Sequence, residues 1–443
     1  MNEIITLLQC IRQTVSPTEF QQLLVIVPAV LAMTGQVTML NIVRWTGAGG
    51  SYRTIQRFYN APLVWLKINW ALTQAHAQQV GGIFLLVGDE TVVTKAGKQT
   101  FGVDRFFSSI YQKSVPGLAF FGVSLVSVEE KQSTMLLFEQ LAKADSTTKP
   151  TPKPKKQRKA PAPKPPKAKG GRPKGSKNRN RRTLELPAYL QTLQAHFQQV
   201  LALVGDKLAI PFCVLDGAFG HNNALQMVRQ LGLHLISKLN KTSALYFPYT
   251  GTQKKYGARR KYGPKLDYQQ IPASYCQESS TQDGVQTDIY QMPLWSKHFP
   301  DLLNVVIIVK TKLASQQRAH VVLFSSDLSL VHSKLILYYR LRFQIEFNFR
   351  DAKQFWGLED FMNVKQRPVH NAANFALFLG NVATALLRLR RKHLPAFSLT
   401  DLKADYRGRF YVLEALKRLP HLPDPVFIDE LSAHFGRIGA IHP

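Results

Sequence analysis

The chain has 443 residues, of which 45% are hydrophobic and 10% aromatic, and this composition argues against a largely disordered protein. Lysine and arginine total 57 against 28 acidic residues, so the formal net charge is +29 and a polyanion is the expected partner. Three widely separated cysteines form neither a disulfide framework nor a metal-ligand spacing. Because no apolar run is long enough to span a bilayer and no signal peptide is visible, we expect a cytoplasmic protein without a membrane partner.

Residues 1–78 are predicted to form an all-helical domain, because their apolar side chains recur every three or four positions. Within this domain, residues 38–60 resemble a helix-turn-helix, with two short helices around a glycine-rich turn. The second helix would present Arg53, Gln56 and Arg57 to DNA. A plain helical hairpin fits the same pattern, and the overall positive charge favours the DNA-binding interpretation.

From residue 82 the pattern becomes that of β-strands. The short apolar run at residues 83–87 predicts a buried central strand that ends at Gly88 and Asp89. Residues 101–103 and 118–128 predict two further strands, and residues 135–143 predict a helix.

A strongly basic segment then interrupts the fold. Residues 149–182 contain 15 Lys and Arg, eight Pro and no acid, so about half of the net charge lies there. Such a composition cannot bury a core, and we assign residues 146–183 to a disordered loop. Residues 170–178 are similar to an AT-hook, which lays Arg in the minor groove of A·T-rich DNA. This strip would use Arg172, Lys174 and Lys177, and an unspecific polybasic tether is the alternative.

After this segment, helices and strands alternate again. A buried strand at residues 212–215 ends at Asp216, and residues 243–300 have the alternating pattern of a β-rich insertion. A long helix is predicted at residues 330–356. We also expect helices at 186–204, 222–231 and 370–393, and strands at 233–237, 303–310 and 320–324. The chain thus divides into a mixed α/β domain (80–145, 184–242 and 301–395), the β-rich insertion (243–300) and a C-terminal tail (396–443) that is a candidate dimerisation region.

Two acids and one helix carry the candidate chemistry. Asp89 and Asp216 each follow a buried strand; a single such aspartate usually caps a turn, but two on one sheet predict a shared site. On the long helix, at about 100° per residue, four side chains lie within about 40° of Glu346. They are Tyr339, Arg342, Arg350 and Lys353. An exposed face with ion pairs one turn apart gives the same pattern, but the surrounding phenylalanines predict a packed helix.

The spacing Tyr-x2-Arg-x3-Glu-x6-Lys resembles the Y-R-E-K signature of bacterial insertion-sequence DDE transposases. The segments Val-Gly-Asp-Glu-Thr and Val-Leu-Asp-Gly-Ala-Phe match the two aspartates of that family. The resemblance covers residues 80–395. It implies an α/β (mixed α+β) fold, with an RNase H-like catalytic core, a β-rich insertion and an N-terminal helical domain that binds DNA ends.

The resemblance also implies how the site works. Asp89, Asp216 and Glu346 would be catalytic and hold two Mg²⁺ ions, with Mn²⁺ as a substitute. The four other side chains of the helix stripe would bind DNA phosphates. The partners would be the double-stranded DNA of the element ends and of the target, bound by a homodimer at the bacterial nucleoid. A nuclease that cuts without joining and an inactive DNA-binding descendant are the alternatives.

We predict that replacing residues 149–182 by a short Gly/Ser bridge leaves the fold stable, because no core side chain is removed. DNA affinity should fall, and the slope of log K against log salt should become shallower by about 0.9 for each DNA phosphate that is no longer neutralised. If the AT-hook interpretation holds, Arg172→Ala alone should reduce the preference for A·T-rich duplex. Binding curves on two duplexes at three salt concentrations measure both effects. An unchanged salt slope after the deletion would mean that the segment does not contact DNA.

Overall fold

A computed structural model of the chain describes residues 2–47, 50–108, 112–141 and 181–442. The helices are α1 (Asn2–Leu8), α2 (Pro17–Ala32), α3 (Met39–Trp45), α4 (Tyr52–Asn60), α5 (Trp65–Val80), α6 (Ala188–Val204), α7 (Asn222–Gln230), α8 (His332–Leu341), α9 (Gln344–Phe355), α10 (Gln366–Arg391), α11 (Leu399–Leu416) and α12 (Pro425–Arg437). The strands are β1 (Ile83–Thr94), β2 (Asp104–Ser108), β3 (Lys113–Ser127), β4 (Gln132–Gln140), β5 (Ala209–Val214), β6 (His234–Leu239), β7 (Leu245–Pro248), β8 (Tyr262–Lys265), β9 (Cys276–Gln282), β10 (Val285–Ser296), β11 (Leu303–Lys312) and β12 (Arg318–Ser325).

These strands form one mixed sheet. Strand β1 is antiparallel to β3 and parallel to β5, and β5 is parallel to β6. Strand β3 also pairs with β2 and β4 along different parts of its length. The order β4-β3-β1-β5-β6, with three antiparallel strands followed by two parallel ones, is consistent with the RNase H-like fold that the resemblance implies.

The β-rich region predicted at residues 243–300 extends this same sheet. Strand β6 pairs with β12, and the sheet continues through β11 and β10 to β7 and β8, while β9 pairs with β10. Where the insertion begins and ends as a unit stays a prediction.

The sheet separates two apolar cores, because successive side chains of a strand point to opposite faces. Leu85 and Val87 of β1 face the first core, which contains side chains of α1–α5 and α8–α11. Phe84 and Leu86 face the second core, which contains side chains of α6 and α7. The helices of the first 80 residues therefore share a core with the C-terminal helices, and the domain boundary near residue 78 stays a prediction.

Three predicted elements need correction. Residues 101–103 form a turn before β2 rather than a strand, with Gly102 at a φ of +73°. The long helix predicted at residues 330–356 is two helices, α8 and α9, separated at Arg342 and Phe343. At this break the amides of Ile345 and Glu346 donate to carbonyls three residues back, which tightens the turn.

The helix predicted at residues 135–143 is also wrong, because residues 135–140 belong to strand β4; residues 142 and 143 lie outside the described residues. A short apolar run such as residues 135–138 fits a buried strand or a buried helix equally well by periodicity. Strand β4 pairs only with β3, so the other side of its backbone needs partners. Asn374 donates to the Phe138 carbonyl at 2.8 Å, and Asn381 donates to the Met135 carbonyl at 2.7 Å.

The two helices that cover β4 are joined by the same polar contacts. Asn381 of α10 accepts from the Met135 amide and donates to the side chain of Asn69 of α5. Asn69 in turn donates to the Leu136 carbonyl. By length and composition α10 could cross a membrane, but 67% of its apolar window is buried inside the protein, as expected of a core helix.

The candidate AT-hook residues Arg172, Lys174 and Lys177 lie outside the described residues. The last residues of the basic segment are described: Arg181 donates to the Lys297 carbonyl, and Arg182 pairs with Asp301 at 2.5 Å. The deletion predicted above should therefore end at residue 180, so that these contacts to the fold are kept.

We predict that Asn381→Leu lowers the free energy of unfolding by about 2–4 kcal/mol, because it leaves buried groups of Met135 and Asn69 without partners. Urea unfolding followed by circular dichroism measures the change. The matched control is Asn60→Leu at the exposed end of α4, which should change stability by less than about 0.5 kcal/mol. Equal reductions in the two variants would contradict this account of the covered edge.

Candidate active site

Asp89 lies inside strand β1 rather than at its end, which corrects the sequence prediction. The antiparallel pairing with β3 continues past Asp89, which lies opposite Gly122. The parallel pairing with β5 ends earlier, at Val87 and Val214. The strand continues because its antiparallel partner continues, while the sheet opens on the β5 side where Asp89 lies.

Asp216 lies on the same face of the sheet as Asp89. Each aspartate lies two residues beyond the last parallel pair, Val87 and Val214, so strand alternation directs both to the face of the first core. The Asp216 side chain accepts a hydrogen bond from the Ala218 amide at 3.0 Å, at the start of a 3-10 turn. This contact holds the aspartate close to the end of β5.

Helix α9 brings Glu346 to this face. Phe349 of α9 packs directly over Gly122 of β3, where a Cβ atom would lie only 2.9 Å from the aromatic ring. The absence of a side chain at Gly122 therefore lets the helix approach the sheet opposite Asp89. Glu346 lies three residues before Phe349, about one helical turn away.

Arg342 connects two of the three acids. Its guanidinium donates to Asp89 Oδ2 at 2.9 Å and to Glu346 Oε1 at 2.9 Å. The Arg342 side chain is only 13% exposed. Among the described residues, its Nε atom is buried and has no hydrogen-bond partner.

The site has more negative charge than Arg342 neutralises. Burial raises the pKa of Asp89 from 3.8 to about 6, and the carboxylates of Asp216 and Glu346 act in the same direction. Arg342 and a hydrogen bond from the Glu90 amide lower the pKa, but they do not offset burial. A cationic ligand would remove this penalty.

The other residues of the predicted stripe take different positions. Tyr339 lies near the acids: burial raises its pKa, and its ring is 6.0 Å from the Arg342 guanidinium. Lys353 donates to the Val92 carbonyl at 2.7 Å instead of pointing to Glu346. Arg350 is 60% exposed and pairs with its neighbour Asp351. The structure therefore brings Tyr339 and Arg342 to the acids, and leaves Arg350 at the surface.

The comparison with protein families agrees with this geometry. The family model described as "DDE superfamily endonuclease" matches residues 6–295, which is more than half of the chain. The chain belongs to the DDE superfamily endonucleases. No curated protein matches it. Because the match ends before α9, the place of Glu346 in the site depends on the geometry alone.

Endonucleases of the DDE type generally use divalent metal ions, and the donor set of this DDE endonuclease fits such an ion. Hard divalent cations prefer carboxylate oxygens, and Asp89, Asp216 and Glu346 supply them. Across the described residues no three His, Cys, Asp or Glu side chains form a ready metal-binding group. The Arg342 cation lies between Asp89 and Glu346, where it supplies the positive charge that the carboxylates require.

Sequence reasoning missed Tyr189 in this endonuclease. Its hydroxyl, in the first turn of α6, donates to the Glu90 carboxylate next to Asp89. Burial raises the pKa of Tyr189, and the charges of Glu90, Asp216 and Asp89 raise it further. No spacing rule pairs these residues, because Tyr189 and Glu90 are 99 positions apart and meet only in the folded chain.

The candidate DNA-reading residues of α4 are exposed. Arg53, Gln56 and Arg57 lie on one side of the helix, while Ile55 and Phe58 are buried on the other. Helices α3 and α4 both lie within residues 38–60, where the sequence predicts two short helices around a glycine-rich turn. DNA binding by this surface stays a prediction.

We predict that Asp89→Asn stabilises the metal-free endonuclease above pH 6. Since the pKa of Asp89 is raised on folding, the folded protein holds this proton more tightly than the unfolded chain. The wild type therefore loses stability as pH rises from about 4 to 6, and Asn does not titrate. The gain should reach at most about 3 kcal/mol at pH 7.5 and fall below about 1 kcal/mol at pH 4.

Urea unfolding with a chelator at pH 4, 6 and 7.5 tests this. Asp283→Asn, in an exposed turn, controls for the change in net charge. A variant that is no more stable than the wild type at pH 7.5 would contradict the proposed burial of an uncompensated charge.

Proposed function

We propose that the protein is a DNA transposase of the group with the Y-R-E-K signature. It binds the ends of its insertion sequence, cleaves phosphodiester bonds and joins the 3′ ends to target DNA. The observation that carries the proposal is the contact of Arg342 with both Asp89 and Glu346, since Arg342 and Glu346 belong to that signature. Asp216 lies close enough to Asp89 to raise its pKa.

Three carboxylates on one face of the sheet would hold two Mg²⁺ ions, or Mn²⁺ in their place. Bound there, two divalent ions stabilise the negative charge that develops on the attacking and leaving oxygens of phosphoryl transfer. The raised pKa of Asp89 supports this role, because a carboxylate that is buried and crowded by other acids favours a cation as its partner.

The remaining side chains would position the DNA. Arg342 lies beside the acids, and a guanidinium can bind a phosphate through two of its donors. Tyr339 lies beside it and could donate its hydroxyl proton. Arg350 is exposed on the same helix, and Lys353 would act as a point charge after leaving the Val92 carbonyl.

Other parts of the chain would hold longer stretches of duplex. The exposed Arg53, Gln56 and Arg57 of α4 would read the element ends, and residues 146–183 would bind further phosphates. Because two ends must be held together for joining, we propose a homodimer on DNA at the nucleoid of a bacterial cytoplasm. Residues 396–443, which include α11 and α12, are the candidate dimerisation region.

Cleavage without joining is the second candidate, since the family match is to endonucleases. A catalytically inactive descendant is less well supported, because all three acids are present: Asp89 in β1, Asp216 after β5 and Glu346 on α9. The DNA that flanks the coding region distinguishes a transposase from both, because inverted repeats there would be its substrate.

We predict that Asp89→Asn, Asp216→Asn and Glu346→Gln each reduce cleavage of this flanking duplex by more than about 100-fold with Mg²⁺ or Mn²⁺, while binding to it changes little. The matched control is Glu278→Gln, which removes an exposed acid of β9 away from the three acids. Strand cleavage on labelled duplexes and binding by anisotropy are measured in parallel. Normal cleavage by any one of the three variants would remove that residue from the site.

A second measurement separates joining from cutting. Duplexes that already end in the 3′-hydroxyl of the element are incubated with a supercoiled target and the wild-type protein. Insertion into the target supports the transposase, whereas cleavage of the flanking duplex without insertion supports the nuclease.

A further inference from the structure

A second concentration of positive charge lies at the far edge of the sheet, on β8 and on the loop between β7 and β8. No acid occurs between Asp216 and Asp267, a stretch of 50 residues. We call the following residues the β7–β8 basic surface: Tyr246, Tyr249, Lys254, Lys255, Tyr256, Arg259, Arg260, Lys261, Tyr262, Lys265, Trp295 and Lys297.

The cations of this surface are exposed and have no acidic partners. Every residue from 250 to 261 is exposed, and Tyr256 has 81% of its surface open to solvent. Among the described residues, none of the seven Lys and Arg of the surface forms an ion pair. Because like charges this close in sequence repel one another, their concentration favours a polyanionic ligand.

Aromatic rings hold several of these cations in place. Lys261 lies over Trp295 at 5.1 Å, and Lys297 lies over Tyr246 at 5.0 Å. Tyr262 packs edge-on against both of these rings. The three rings are half-buried against one another, so they form a support for the cations rather than open faces for stacked bases. These three rings are therefore covered against stacking with bases, while phosphates can reach the exposed cations that the rings support.

The number of strands between this surface and the acids sets the scale of their separation. From β1 the order is β5, β6, β12, β11, β10, β7 and β8, which makes seven steps. At about 4.8 Å between neighbouring strands, the path is about 34 Å long. This length equals about ten base pairs of B-form DNA, the interval after which a duplex presents the same groove to the same side.

We propose that the β7–β8 basic surface binds the backbone of the same DNA duplex about one helical turn from the acids. The proposal rests on the proposed function, because it takes the cleaved DNA as the ligand. A duplex bound at both places would be fixed in direction as well as in position, since a single contact allows it to pivot.

The test is a variant in which Lys254, Lys255, Arg259 and Lys265 are all changed to Gln. These side chains are exposed and lie outside the aromatic contacts that hold Lys261 and Lys297. The matched control changes the same number of exposed Lys and Arg to Gln elsewhere: Lys98, Lys131, Lys392 and Arg367. The two variants have the same net charge.

Binding of a mixed-sequence 34-base-pair duplex is measured by anisotropy over a series of salt concentrations. The salt slope of the surface variant should be shallower than that of the control by about 2–4, because each DNA phosphate that the variant no longer neutralises lowers the slope by about 0.9. Equal slopes for the two variants would overturn the proposal. The proposal would also be overturned if the wild type bound a single strand more strongly than the duplex. It would likewise be overturned if the surface variant lost as much binding to vesicles containing anionic phosphatidylserine as to the duplex.

Hydroxyl-radical footprinting on the flanking DNA then tests the position. The wild type should protect the cleavage site and a second region about one turn away, and the surface variant should no longer protect the second region. Loss of protection at the cleavage site alone would overturn the proposal. If the duplex salt slope falls as expected but no cleavage of flanking DNA occurs, the proposed function fails while the DNA-binding surface stands.

Discussion

The contact of Arg342 with Asp89 and Glu346 links a strand in the middle of the sheet to a helix packed on it. Charges of like sign repel more strongly at a partly buried site than at the surface, because less water is present to screen them. One guanidinium neutralises part of this charge, but burial and the charges of Asp216 and Glu346 still raise the pKa of Asp89. Additional positive charge at this site would therefore be favourable.

The rest of the molecule has the opposite sign. The three acids of the site lie at one face of the sheet near β1, whereas the chain as a whole has a net charge of +29. Exposed cations lie on α4 and on the β7–β8 basic surface, and the sequence places 15 further Lys and Arg in residues 149–182. This distribution would attract a polyanion over a wide area and, with metal ions, would let one phosphate approach the acids.

The fold supports the site through the contacts of α9 and α10. Gly122 lets α9 lie close to the sheet, and Asn381 and Asn374 of α10 satisfy the outer edge of β4. The strand order from β4 to β6 is thereby closed on one side by helices. On the other side, β6 pairs with β12, and the sheet continues through the neighbours of β12.

Much of the fold and of the site could be predicted because the relevant patterns are local. The apolar run at residues 83–87 lies in β1, and the run at residues 212–215 forms the end of β5 and the residue after it. Helices α3 and α4 lie on either side of the glycine-rich turn, as predicted. The contact between Arg342 and Glu346 follows from their separation of four residues, which a helical backbone turns into neighbours even beside the break at Phe343.

The sequence by itself determined where apolar and polar side chains alternate, where apolar side chains recur every helical turn and where positive charge accumulates. These patterns depend only on neighbours along the chain. Only the tertiary structure decided that residues 135–138 form an edge strand, since asparagines from α10 provide its missing partners. It also decided that Lys353 turns to Val92 and that Tyr189 contacts Glu90. The physical reason is that each of these contacts joins segments far apart in the chain, and the sequence pattern of one segment does not specify its partner.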